Sequence, residues 1–196
     1  KSRLKSNKKN RKTKLIFASL SNNENEFKMN QLIRKIPSSN EWACLWEYKC
    51  ESPNYKELTK ISEIDKCIPH VDSISPKTDL KETYTLLQGD YEGITSGQYM
   101  NLYFSEVVLQ NKELFTERFI NFIGTLKPLF IGLVELNKRK ICHHDIKGDN
   151  IIYKDGAFYY IDFGLSFEYK DKKKLLERMK YEFMTRRIYD SYPFEY

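Results

Sequence analysis

The chain has 196 residues, 40% of them apolar, and a formal net charge of +6. That length accommodates one or two small domains with a buried core. Its four cysteines form no Cys-x-x-Cys pair and share no metal-ligand spacing with the three histidines, which excludes a zinc ribbon or disulfide framework and points to reduced thiols in a cytosolic compartment. No apolar run approaches the ~20 residues of a bilayer span and no signal-peptide pattern opens the sequence, so a soluble protein with no membrane partner is expected.

Residues 1–14 hold eight Lys or Arg and no acid. The excess charge therefore belongs to the start of the chain, and residues 1–13 are expected to form a solvated basic arm. Nucleic acid is not expected as a partner beyond weak contact with that arm. The apolar segments 14–20 and 30–36, separated by a polar run, predict two strands of a small antiparallel sheet. Pro37-Ser38-Ser39-Asn40 predicts a helix entry, with Trp42, Leu45, Trp46 and Tyr48 giving a helix over 41–51 until Pro53 stops it. Residues 61–74 are broken by Pro69 and flanked by Pro76, and are expected to be irregular. A strand is predicted at 83–87, followed by a turn-rich stretch from Gln88 to Gly93.

From Glu113 to Lys140, apolar residues recur at helical spacing, and Pro128 must kink one helix or start a second because it lacks an amide donor and clashes with the preceding turn. Residues 151–153 and 157–161 predict a hairpin through Asp155-Gly156, a dipeptide suited to the positive φ angles of a two-residue turn. That hairpin would bring Asn150 and Asp162 to adjacent strand ends. The stretch 170–180 is highly charged, and the sequence closes on Tyr192-Pro193-Phe194-Glu195-Tyr196.

Two short motifs carry the chemistry: Cys142-His143-His144-Asp145-Ile146-Lys147-Gly148-Asp149-Asn150, and Asp162-Phe163-Gly164 twelve residues after Asn150. Their order and spacing resemble the catalytic loop and magnesium loop of eukaryotic-type protein kinases, with only the motif arginine replaced, by His144. The resemblance implies that Asp145 orients the substrate hydroxyl, that Lys147 offsets charge on the moving phosphoryl group, and that Asn150 and Asp162 hold Mg²⁺. His143 would pack beneath the loop and hydrogen-bond backbone near the magnesium strand, Phe163 would join an apolar stack, and Gly164 would allow a backbone conformation that a β-carbon disfavours. ATP and Mg²⁺ are the implied cofactors and a protein the implied substrate; Lys147 favours the Ser/Thr type.

The implied fold class is α+β, a protein-kinase-like two-lobe fold with a reduced N-lobe sheet over 14–88 and a truncated helical C-lobe over 89–196. Gln88 and Asp90 would belong to an adenine-binding hinge, and Lys170 to Lys180 to an activation segment. Pro193-Phe194-Glu195 resembles the Ala-Pro-Glu that closes that segment, and the tyrosine before the proline is similar to kinases encoded by large DNA viruses, which would place the protein in a host cytoplasm or a virion. Lys35, with Glu47 or Glu51 as its helix partner, best matches the family's ATP-positioning pair; Lys28 with Glu41 is the rival.

The chain departs from the family in three ways. Residues 1–60 contain no glycine, so the glycine-rich phosphate loop is missing. The sequence stops at Pro193-Phe194-Glu195, before the large-lobe helices that follow the activation segment in the family, so a partner chain covering exposed apolar helix surface, a gene truncation or an independent minimal fold is expected in their place. Replacing the always-charged, bidentate arginine by His144 makes activation through segment phosphorylation an unsuitable mechanism here. The alternatives to a Ser/Thr kinase are a catalytically impaired kinase remnant that serves as a binding module or decoy, and a small-molecule phosphotransferase.

Overall fold

The computed structural model describes residues 14–51, 60, 84–89 and 93–185. They form a mixed helix-and-sheet protein with small antiparallel sheets, dividing into two compact units, one within 1–20 and 46–92 and the other within 21–45 and 93–196.

The smaller unit is a three-stranded antiparallel sheet of β1 (Lys14–Ser19), β2 (Tyr48–Glu51) and β3 (Tyr84–Gly89), with β3 in the centre. Lys14 pairs with Gly89 and Ser19 with Tyr84 on one side, and Tyr48 with Gln88 and Glu51 with Thr85 on the other. Trp46 and Leu87 are fully buried in this unit, and Tyr48 is exposed.

The larger unit starts with helix α1 (Leu20–Ile33), which replaces the strand expected over 30–36. Among residues 24–33 of α1 the buried ones are Glu26, Met29, Asn30 and Ile33, a stripe at helical spacing. Two of the four are polar, so an apolar count along the sequence misses the helical period and sees only the short apolar run near the C-terminal end. The helix expected over 41–51 is also absent: a single 3-10 turn, Ser39–Glu41, leads into extended chain and then β2. Trp42 and Trp46 suggested a helix by their spacing of four, but both are fully buried in different units.

Residues 94–185 continue as β4 (Ile94–Thr95), α2 (Ser96–Tyr103), α3 (Glu106–Gln110), α4 (Lys112–Thr125), α5 (Lys127–Lys138), β5 (Ile141–Cys142), β6 (Ile151–Lys154), β7 (Ala157–Tyr160), β8 (Phe167–Glu168) and α6 (Lys172–Thr185). Strands β4, β6 and β7 make one sheet, and β5 pairs with β8 in another. A capping box between Thr95 and Gln98 starts α2, and the Asn111 side chain accepts the Leu114 amide to start α4. Pro128 is the second residue of α5, so it opens a new helix where its missing amide donor costs nothing. The 151–161 hairpin forms as expected, with Asp155 and Gly156 at φ 49° and 87° in the turn. The charged stretch after Lys170 folds as α6, and the closing Pro193-Phe194-Glu195 lies outside the described residues, as do the basic arm, all of 61–74 and Asp90.

The core of this unit gathers Met29, Ile33, Ile36, Trp42, Tyr99, Leu129, Leu136, Ile141, Phe158, Tyr160 and Phe163. The segment 42–44 runs along β7, with Tyr160 donating its amide to Trp42 and accepting that of Cys44. Gly132 lies against the Trp42 ring, where an added β-carbon would come within 2.8 Å of Cε3.

Taken end to end, Lys112–Lys138 is long and apolar enough to cross a membrane by length and composition, which corrects the expectation that no run approaches a span. The break at Leu126 divides it into two helices, and Leu129, Gly132 and Leu136 of α5 are buried in the protein core. Its outer side exposes Phe119, Ile120, Ile123, Phe130 and Val134.

Glycine in mid-helix costs about 1 kcal/mol relative to alanine, so Gly132→Ala would stabilise α5 if space allowed. The Trp42 ring is fully buried and cannot retreat, so we expect Gly132→Ala to destabilise the protein by about 1–3 kcal/mol. Gly124 meets nothing within 4 Å of an added β-carbon. Thermal melts of the two alanine variants should therefore shift in opposite directions, down for Gly132 and level or up for Gly124. A rise for Gly132→Ala would show that Trp42 does not pack there.

Candidate active site

The turn between β5 and β6 carries His143, His144, Asp145, Lys147 and Asn150, and the chain returns to it at Asp162 after β7. A backbone bond from the Ile161 amide to the Asn150 carbonyl, 3.0 Å, extends the hairpin ladder by one step. Asn150 and Asp162 therefore sit at adjacent strand ends, as the hairpin required.

Within the turn the side chains interlock. Asn150 donates from Nδ2 to the Asp145 carboxylate at 2.7 Å and to its backbone carbonyl at 2.9 Å. Lys147 Nζ donates to the same carboxylate oxygen, Oδ2, at 3.0 Å. That hydrogen bond holds the Lys147 ammonium above its ordinary pKa, so Lys147 is fully charged at neutral pH. Because an amide's nitrogen and oxygen lie on opposite sides of one carbon, fixing Asn150 Nδ2 against Asp145 directs Oδ1 elsewhere. Asn150 is itself buried, which leaves it little freedom to turn.

Two non-glycine residues of the site have left-handed backbone, His144 at φ 65° and Asp162 at φ 59°. Such residues cost about 1–3 kcal/mol each and persist only where their surroundings hold them. One precedes Asp145 and the other leads the Asp-Phe-Gly turn. Asp162 is exposed, with Oδ1 accepting the Gly164 amide at 3.2 Å. Phe163 is fully buried, its ring 4.6 Å from that of His143.

His143 is buried and its Nε2 lies 3.2 Å from the Ile161 carbonyl. A carbonyl only accepts, so Nε2 carries the proton and Nδ1, buried and unbonded, is bare. Burial pushes the imidazole pKa down to about 4, against a smaller opposing effect of the Ile161 hydrogen bond. His143 is therefore neutral, and its structural role matches expectation. His144 is buried too, its ring edge-on to Phe167.

Asp145, Lys147, Asn150, Asp162, Phe163 and Gly164 are thus brought together. Lys35 is exposed in the turn that ends α1 and not in a strand, and Glu47 is exposed in the lead into β2 and not in a helix, so neither occupies the element expected for it. The rival pair fares no better, Lys28 and Glu41 both being exposed. Gln88 is half-buried in β3 and passes its carbonyl to the Glu47 amide.

Two α1 residues at the site were not anticipated. Glu26 is 7% exposed, with a carboxylate oxygen 3.8 Å from where a β-carbon on Gly164 would lie. Asn25 donates from Nδ2 to the Gly164 carbonyl at 2.6 Å and the Ser166 carbonyl at 3.2 Å. The signal for both was the helical spacing of Glu26 with Met29, Asn30 and Ile33.

No three His, Cys, Asp or Glu side chains converge among the described residues. Mg²⁺ bound with phosphates needs only one or two protein oxygens. Asn150 Oδ1 and the Asp162 carboxylate fit that all-oxygen requirement. No protein-family model matches the chain, and no curated protein matches it in sequence.

A histidine whose folded pKa is depressed favours the folded state above its unfolded value and loses that contribution as pH falls. Protein stability should therefore decline as pH drops from about 6.5 towards 4, by on the order of 3 kcal/mol from His143 alone. Thermal midpoints across that range should fall more steeply for the wild type than for His143→Leu. Parallel slopes would show that His143 is not the buried proton acceptor.

Proposed function

We propose that the protein is a two-lobe, protein-kinase-like enzyme that transfers the γ-phosphoryl group of ATP to a Ser or Thr hydroxyl of a protein. The observation that carries this reading is the Asp145, Lys147 and Asn150 cluster with Asp162 at the neighbouring strand end. A carboxylate is presented beside a cation, and an amide and a second carboxylate stand at adjacent strand ends. In this reading Asp145 accepts a hydrogen bond from the substrate hydroxyl and aims its oxygen, while Lys147 sets positive charge where phosphoryl oxygens gather. Asn150 and Asp162 would hold Mg²⁺, which neutralises phosphate charge when bound. Glu26 takes the helix-acid role that the sequence resemblance assigned to Glu47. His144 offers no guanidinium to receive a phosphate on the following segment, so the proposed activity does not depend on phosphorylation there.

Binding of a non-hydrolysable ATP analogue should require Mg²⁺ and weaken at least about tenfold in Asp162→Asn, whereas Asp145→Asn should bind as the wild type does. Asp145→Ala should lower transfer to a generic Ser/Thr substrate by about 10²-fold or more with the fold intact. Equal, metal-independent binding in calorimetric titrations of wild type and both binding variants would overturn the reading.

The exposed apolar side of α4 and α5 favours a second reading, a kinase-derived binding module whose partner covers Ile123, Phe130 and Val134. Such a surface should make the isolated chain self-associate at micromolar concentration, and Phe130→Lys should reduce that. A monodisperse wild-type monomer in sedimentation experiments that also phosphorylates substrate would remove this alternative.

A further inference from the structure

The loop that carries Asp162 is held from two directions. On one side, His143 Nε2 donates to the Ile161 carbonyl, and the His143 carbonyl accepts from Ser166 Oγ at 2.9 Å. Ser166 is 1% exposed, and its amide closes a turn onto the Phe163 carbonyl at 3.0 Å. These bonds hold the ends of the loop against the catalytic turn. On the other side, the Asn25 amide reaches the Gly164 and Ser166 carbonyls. Both partners are acceptors only, so the Asn25 nitrogen must be the donor to each.

The two latched carbonyls flank Leu165, which is 41% exposed and anchors nothing firmly. Asp162 lies two residues before the first of them, in left-handed backbone that its surroundings must sustain. Its side chain has the Gly164 amide as partner, the same peptide neighbourhood that Asn25 grips from the carbonyl side. A shift of α1 by about an ångström would lengthen both Asn25 bonds beyond useful range. The placement of the helix and the shape of the metal loop are therefore coupled through one side chain.

Resting on the kinase reading, we infer that Asn25 is a positioning residue: its amide latches α1 to the Gly164 and Ser166 carbonyls and holds Asp162 in the conformation that binds Mg²⁺ with the nucleotide. Asn25 touches neither metal nor substrate.

Asn25→Asp tests the latch with nearly the same shape, since a carboxylate cannot donate to a carbonyl. Amide hydrogen exchange on the free protein comes first: Asn25→Asp and Asn25→Ala should speed exchange of residues 163–167 while α5 stays protected. The Mg²⁺ concentration for half-saturation of ATP-analogue binding should then rise about tenfold in both variants, as expected for losing two net hydrogen bonds. The thermal midpoint should change by no more than a few degrees. Unchanged loop exchange, or a lowered thermal midpoint with unchanged Mg²⁺ dependence, would overturn the latch. If loop exchange responds but wild type shows no Mg²⁺-dependent nucleotide binding, the kinase reading fails, and the metal-positioning role with it.

Discussion

A neutral imidazole buried behind the catalytic turn joins the parts of this site to one another. His143 makes contact with the Phe163 ring, donates to the Ile161 carbonyl and, through its own carbonyl, receives the Ser166 hydroxyl. Those three contacts tie the turn before Asp145 to both ends of the loop after Asp162. They work only while the ring is uncharged, because a proton on buried Nδ1 would have no acceptor. The depressed pKa is the thermodynamic expression of that geometry, and the left-handed backbones at His144 and Asp162 are the strain it helps to sustain.

In front of the imidazole, the charged groups orient more than they stabilise. The Lys147–Asp145 pair is partly exposed, with side-chain exposures of 36% and 21%, and contacts of that kind contribute little to folding. What the pair does is hold one oxygen of a carboxylate in place. Asn150 strengthens the effect, since its amide holds the same oxygen and the backbone carbonyl behind it. One oxygen of the Asp145 carboxylate is thus engaged twice, by an ammonium and by an amide.

The sequence disclosed this half of the molecule because the information is local. Asp155-Gly156 sets the hairpin turn, the hairpin sets the neighbourhood of Asn150 and Asp162, and the short spacing from Asp145 to Asn150 closes the hydrogen-bonded turn. Pro128 likewise declared a helix boundary through its own covalent structure. The reading failed where position depends on tertiary context. Trp42 and Trp46 stand four apart, yet fill different cores, and no local pattern separates that arrangement from one face of a helix. Lys35 looked like a strand lysine because the apolar residues around it belong to the end of α1 and the turn beyond it. With that helix missed, Asn25 and Glu26 could not be placed.

The concealment of α1 has a physical cause that bears on its role. A helix kept in place only for stability would bury an apolar stripe, as α5 does with Leu129 and Leu136. On α1 the stripe is interrupted by Glu26 and Asn30, both buried, with Asn25 beside them bonded to the loop that follows Asp162. Buried polar groups cost free energy unless they are hydrogen-bonded, and Asn30 meets that demand inside the helix by donating to the Glu26 carbonyl at 2.7 Å. Asn25 meets it outside the helix, on the loop that carries Asp162. A helix anchored by directional bonds to a loop seats that loop in one register, whereas an apolar contact tolerates sliding. The buried Glu26 and Asn30 hide α1 from a hydrophobic count, while Asn25 ties the helix to the loop that carries Asp162.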